Sequence, residues 1–141
     1  MKTDLKNLSI GVFDSGVGGL TVLKQLHTHL PNESYIYLGD LARVPYGTKS
    51  DAAILNYTKQ ACDYFIDQGV KCIVIACNTA SSISLHLLEE LNLGIPIIGV
   101  VKPGAKTASD KTKTKKLPSL QLKLQSILIV MYSKFTAMIR I

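Results

Sequence analysis

The run Cys72-Ile73-Val74-Ile75 is continuously apolar and β-branched, and it constrains the fold of this chain more than any other stretch. A strand with no polar face is buried on both sides, which is the signature of a parallel sheet covered by helices above and below. The residues that follow, Ala76-Cys77-Asn78-Thr79-Ala80-Ser81-Ser82, read as a turn entering a helix. Two further apolar runs behave alike. Ile10-Gly11-Val12-Phe13 ends in Asp14 and Ser15 before a glycine-rich turn, and Tyr37-Leu38-Gly39-Asp40 leads into a loop with Arg43, Pro45, Tyr46 and Gly47. The alternation predicts strands at about 8–14, 34–39, 71–77 and 96–101, with helices at about 18–30, 50–68 and 79–91. The fold class is therefore α/β, a parallel sheet flanked by helices on both faces.

Open parallel sheets bind ligands at the carboxyl ends of their strands. Three strand ends here offer Asp14-Ser15, Arg43 with Tyr46-Gly47, and Cys77-Asn78-Thr79 on one rim, which points to a small-molecule site. A thiol at the mouth of a helix faces the positive end of the helix dipole, which favours the reactive thiolate. Asn78 and Thr79 add polar side chains and backbone N–H groups suited to an anion. On this run alone, a buried cysteine packing a strand end explains Cys77 equally well. A dinucleotide-binding turn is the rival reading of Gly16-Val17-Gly18-Gly19, with Asp40 at about the expected ~20 residues. Thr21 replaces its third glycine, and Asp14 puts a carboxylate where a pyrophosphate would sit.

Together, Phe13-Asp14-Ser15-Gly16-Val17-Gly18-Gly19, Val44-Pro45-Tyr46-Gly47 and Ala76-Cys77-Asn78-Thr79-Ala80 resemble the glutamate racemases, within the aspartate/glutamate racemase superfamily. The order and separation of the three runs fit as well, and the resemblance covers about residues 8 to 116. It implies the first of two similar α/β domains and a cofactor-independent isomerase that interconverts L- and D-glutamate for peptidoglycan synthesis. It further implies Cys77 as one catalytic acid/base, with Asp14, Ser15, Tyr46, Gly47, Asn78 and Thr79 holding the substrate. A homodimer is the assembly implied for the full-length family. An aspartate racemase of the same superfamily, or a non-catalytic amino-acid-binding fragment, would carry the same motifs.

The family uses two cysteines, one from each half, and its second Cys-Thr-His motif has no counterpart after Cys77. The other two cysteines, Cys62 and Cys72, read as packed core thiols. No spacing suggests a zinc site or a redox pair, so no metal is expected, and the resemblance implies that no cofactor is needed. Met1–Lys6 lacks the apolar stretch of a signal peptide, no run reaches a membrane span, and free cysteines suit a reducing cytoplasm. His27, His29 and His86 fall on helix faces as solvated or capping residues.

Charge divides the chain. Residues 1–101 carry seven Lys/Arg against nine Asp/Glu, net −2, whereas residues 102–141 carry nine against one, net +8. The expected organisation is a first racemase domain over 1–101, a basic linker over 102–116 and an aberrant tail over 117–141. Without an aromatic platform the lysines read as a solvated linker, and no nucleic-acid partner is expected. The tail does not resemble the family's second domain. A frame slip within Lys115-Lys116-Leu117 would account for it, giving a truncated racemase of weak or absent activity.

Overall fold

A computed structural model describes residues 7–101. The expected linker at 102–116 and tail at 117–141 lie outside them. The described chain runs β1 (Ile10–Asp14), α1 (Leu20–His29), β2 (Tyr35–Gly39), α2 (Asp51–Asp67), β3 (Cys72–Ile75), α3 (Asn78–Glu90) and β4 (Ile97–Gly99), with a short 3₁₀ turn at Tyr46–Thr48. All pairings are parallel and the strand order is β2-β1-β3-β4. The expected parallel α/β class is what the structure has.

Strand pleating sorts the core into two layers. Ile10, Val12, Cys72 and Val74 point to the α1 side, where they meet Val22 and Leu26. Phe13, Ile73 and Ile75 point to the other side, against Ile54, Ala61, Cys62 and Phe65 of α2 and Ala80, Leu85 and Leu88 of α3. Each fully buried Ile or Phe contributes about 1.5–3 kcal/mol relative to an exposed one, so two such layers dominate stability. With β1 and β3 sandwiched, their burial on both faces has a direct cause.

Helix ends follow local chemistry. Ser50 caps α2, its hydroxyl accepting from the Ala53 N–H at 3.3 Å, and Asp51 sits in the first turn. The apolar spacing Ile54, Thr58, Ala61, Cys62, Phe65 then keeps one face of α2 on the sheet. The third strand is shorter than the expected 71–77. Ala76 still donates to the Phe13 carbonyl at 2.7 Å, but Cys77 has left the ladder and become the N-cap of α3.

Candidate functional site

The chain leaves β1 toward β2 on one side and, through α2, reaches β3 on the other side. The carboxyl ends of β1 and β3 therefore flank the point where strand order reverses, the place such sheets keep their ligands. Ser15 follows β1 and Cys77 follows β3, and the two side chains meet: the Cys77 thiol donates to the Ser15 hydroxyl at 3.2 Å. These residues are 62 apart in sequence. As N-cap of α3, Cys77 Sγ also accepts from the Ala80 N–H at 3.5 Å. The thiol is 6% exposed and packs in the same cluster as Phe13, Tyr46 and Ala80.

Asp14 is buried, and its Oδ2 accepts from the Gly16 N–H at 3.1 Å and the Gly19 N–H at 2.9 Å. The N–H groups that a pyrophosphate would need are thus turned onto the chain's own carboxylate, which argues against the dinucleotide reading. Close approach explains the glycines. A Cβ on Gly19 would lie 2.5 Å from the Asp14 Cβ, and one on Gly39 would lie 2.5 Å from the Gly16 carbonyl oxygen. The Tyr37 hydroxyl braces the same turn by donating to the Gly16 carbonyl at 2.8 Å. Burial, together with the nearby Asp14 carboxylate, pushes this phenol up to about 12.

The loop after β2 places Tyr46 and Gly47 in the 3₁₀ turn, with Tyr46 buried and Gly47 exposed. The Tyr46 ring packs on Phe13 at 6.3 Å between centroids and on Tyr57 at 5.8 Å. Its hydroxyl donates to Asp40 Oδ2 at 2.6 Å, and burial and that carboxylate raise its pKa. Arg43, grouped with the rim in the sequence, is engaged within the protein. Its Nε lies 2.7 Å from Asp40 Oδ2, and its guanidinium sits 4.3 Å from the Tyr57 ring centroid. Asn78 and Thr79 open α3, with Asn78 exposed and Thr79 half-buried.

Asp40 is the residue the sequence reading missed as part of this rim. The sequence reading has it as the end of the Tyr37-Leu38-Gly39-Asp40 run and as a dinucleotide candidate, and its position three residues before Arg43 in a Pro/Gly loop was a usable signal.

Cys62 and Cys72 are each 1% exposed, and burial pushes both thiols up to about 12. They are core residues, as expected. The histidines also sit as expected on helices. His29 Nδ1 is 2.9 Å from the Gln25 carbonyl oxygen, and exposed His86 lies beside Glu90. Among the described residues, no three His, Cys, Asp or Glu side chains gather closely enough to share a metal ion. No described helix is long and apolar enough to cross a membrane.

No protein-family model matches the chain. Individual relatives do. A glutamate racemase of Trichormus variabilis is 53% identical over 104 residues, covering 74% of this chain and 35% of the relative. The structure of glutamate racemase from Thermus thermophilus, solved in complex with beta-chloro-D-alanine, superposes with a TM-score of 0.71 at 50% identity, covering 77% of this chain and 41% of that one. The Francisella tularensis glutamate racemase, solved in complex with D-glutamate, gives 0.70 at 50% identity, covering 74% and 40%. This chain accordingly spans about two-fifths of the length of these relatives. Over that shared span the chain is a homologue of the glutamate racemases and has their fold.

Proposed function

We propose that this α/β unit is the Cys77-bearing half of a cofactor-independent glutamate racemase site. The observation that carries the reading is the Cys77 thiol at the N-cap of α3, held by Ser15 at the reversal of strand order.

The Cα–H of an amino acid is a very weak acid. Without a delocalising cofactor, its removal needs a placed base and electrostatic support for the carboxylate as charge develops. Cys77 is the acid/base for one face of Cα. The free N–H groups and positive end of α3 at Asn78 and Thr79 suit the substrate carboxylate, and Ser15, Tyr46 and Gly47 complete the walls, with Asp14 fixing the turn. Glutamate is the substrate we assign, since a homologue at 50% identity was solved with D-glutamate. Peptidoglycan supply in the cytoplasm is the setting, in keeping with three free cysteines. A homodimer is the assembly we assign to the full-length enzyme.

Inversion needs a second group on the opposite face. Cys62 and Cys72 do not supply it, being packed in the two core layers. In keeping with the resemblance to racemases that use a second cysteine from the other half, we assign the second acid/base outside residues 7–101, and the first-domain reading of 1–101 rests on the same assignment. The 141-residue chain is expected to racemise weakly or not at all. Solvent deuterium incorporation at Cα, followed for both enantiomers of glutamate and of aspartate, tests this. Robust interconversion by the 141-residue chain would defeat the need for a second half. Binding without any exchange would favour an amino-acid-binding fragment, and preference for aspartate would move the substrate assignment.

A further inference from the structure

The loop between β2 and α2 holds a set of contacts that the proposed proton transfer does not use. Asp40, buried at the end of β2, accepts at one oxygen from both the Tyr46 hydroxyl and Arg43 Nε, at 2.6 and 2.7 Å. Such charge-assisted bonds are stronger than neutral ones. Arg43 then spans to α2, where its Nη1 donates to Gln60 Oε1 at 2.9 Å and its guanidinium covers the Tyr57 ring. A guanidinium committed to three partners is not the free cation that a substrate carboxylate would seek. The loop is instead tied at two points, to a strand end and to a helix face, with Tyr46 between them.

Tyr46 matters because of its neighbours. Its ring packs on Phe13 and belongs to the buried cluster that contains Cys77. We propose that Asp40 and Arg43 are positioning residues: acting through Tyr46, they keep the packed cluster around the Cys77 thiol closed and so govern what reaches Cys77. The inference rests on Cys77 as the reactive group of the proposed racemase site.

The test is site-resolved alkylation of the 141-residue chain with iodoacetamide across a pH series, read by mass spectrometry at all three cysteines. Asp40→Asn weakens both bonds, Tyr46→Phe removes only the hydroxyl, and Arg43→Lys keeps the charge without the stacking. Each variant is expected to raise the Cys77 rate by about threefold or more, the size of an ordinary coupling between contacting residues. Cys72, in the other core layer, is expected to keep its wild-type rate, and Cys62, fully buried on α2 in the same layer as Tyr46, to rise far less than Cys77. The double variant Asp40→Asn/Tyr46→Phe is expected to react no faster than Asp40→Asn alone, since both changes cut the same bond. An unchanged Cys77 rate in Asp40→Asn and Tyr46→Phe would overturn the proposal. So would a parallel rise at all three cysteines, which marks general loosening. If the alkylation pattern appears but the wild-type protein binds neither enantiomer of glutamate, the racemase reading fails and the positioning role stands. Unchanged alkylation alongside measurable exchange removes the positioning role alone.

Discussion

Gly19 packs against the end of β1 and Cys77 follows the end of β3, and each tolerates little change for a different reason. At Gly19 the limit is steric, because an added methyl would meet Asp14 at 2.5 Å and Ala76 at 3.1 Å. Gly19→Ala is expected to cost about 1–3 kcal/mol, the usual range for overpacking, seen as a lower urea midpoint. At Cys77 the limit is chemical. Cys77→Ser replaces the capping sulfur at the start of α3 with a hydroxyl oxygen that can accept the same Ala80 N–H, so the midpoint should move by under about 1 kcal/mol. Cα exchange, where the wild-type chain shows any, should vanish, because a serine hydroxyl is a far weaker base than a thiolate. A Ser variant that still exchanges would exclude Cys77 as the base. Both positions were legible in the sequence, since strand, polar turn and helix follow one another locally. Asp40 was not. Its partners Tyr46 and Arg43 are close in sequence, but Tyr57 and Gln60 reach the cluster only once α2 has packed.

Within the elements, α2 separates a capping effect from a packing effect. Phe65 is fully buried, and its ring fills the space above Gly11 of β1, where a Cβ would come within 2.8 Å. Phe65→Ala empties that space and is expected to cost about 3–5 kcal/mol. Ser50→Ala removes a single cap and is expected to cost about 1 kcal/mol. The two urea midpoints should differ severalfold in their displacement from wild type, and near-equal shifts would mean that α2 is held by its end and not its face. Packing also explains where the element boundaries departed from expectation. Apolar periodicity located every strand and helix, yet it ran β3 on to residue 77. Sequence pattern cannot see that Ala76 makes the last ladder contact, to the Phe13 carbonyl, before the backbone turns into α3. The strand order was likewise illegible in detail, because the run of apolar residues is the same for a strand next to β1 or one place further out.

For the molecule as a whole, the two core layers share an unusual vulnerability: each contains a buried thiol, Cys72 on the α1 side and Cys62 on the side of α2 and α3. Burial raises both from an ordinary 9.0 to about 12. Tyr35 and Tyr37, half-buried at the β2 edge, rise from 10.0 to about 12. In each case the folded protein holds the proton more tightly than the unfolded chain does. The associated stability is therefore complete below pH 9 and is lost as pH climbs from 9 towards 12. Above the unfolded-state value, each thiol should steepen the fall by up to about 1.4 kcal/mol per pH unit. Urea unfolding of the 141-residue chain should accordingly be flat in pH from neutrality to the onset of thiol ionisation, then weaken steadily. Cys72→Ala and Cys62→Ala should each make that slope shallower, although each also lowers stability at neutral pH by opening a small cavity. A slope that neither substitution changes would place the alkaline sensitivity in the tyrosines of β2. Because Cys72 on β3 and Cys62 on α2 belong to the core layers on opposite faces of the sheet, neither layer can admit a charge while the sheet between them stays intact, and one cooperative transition should report the loss of both.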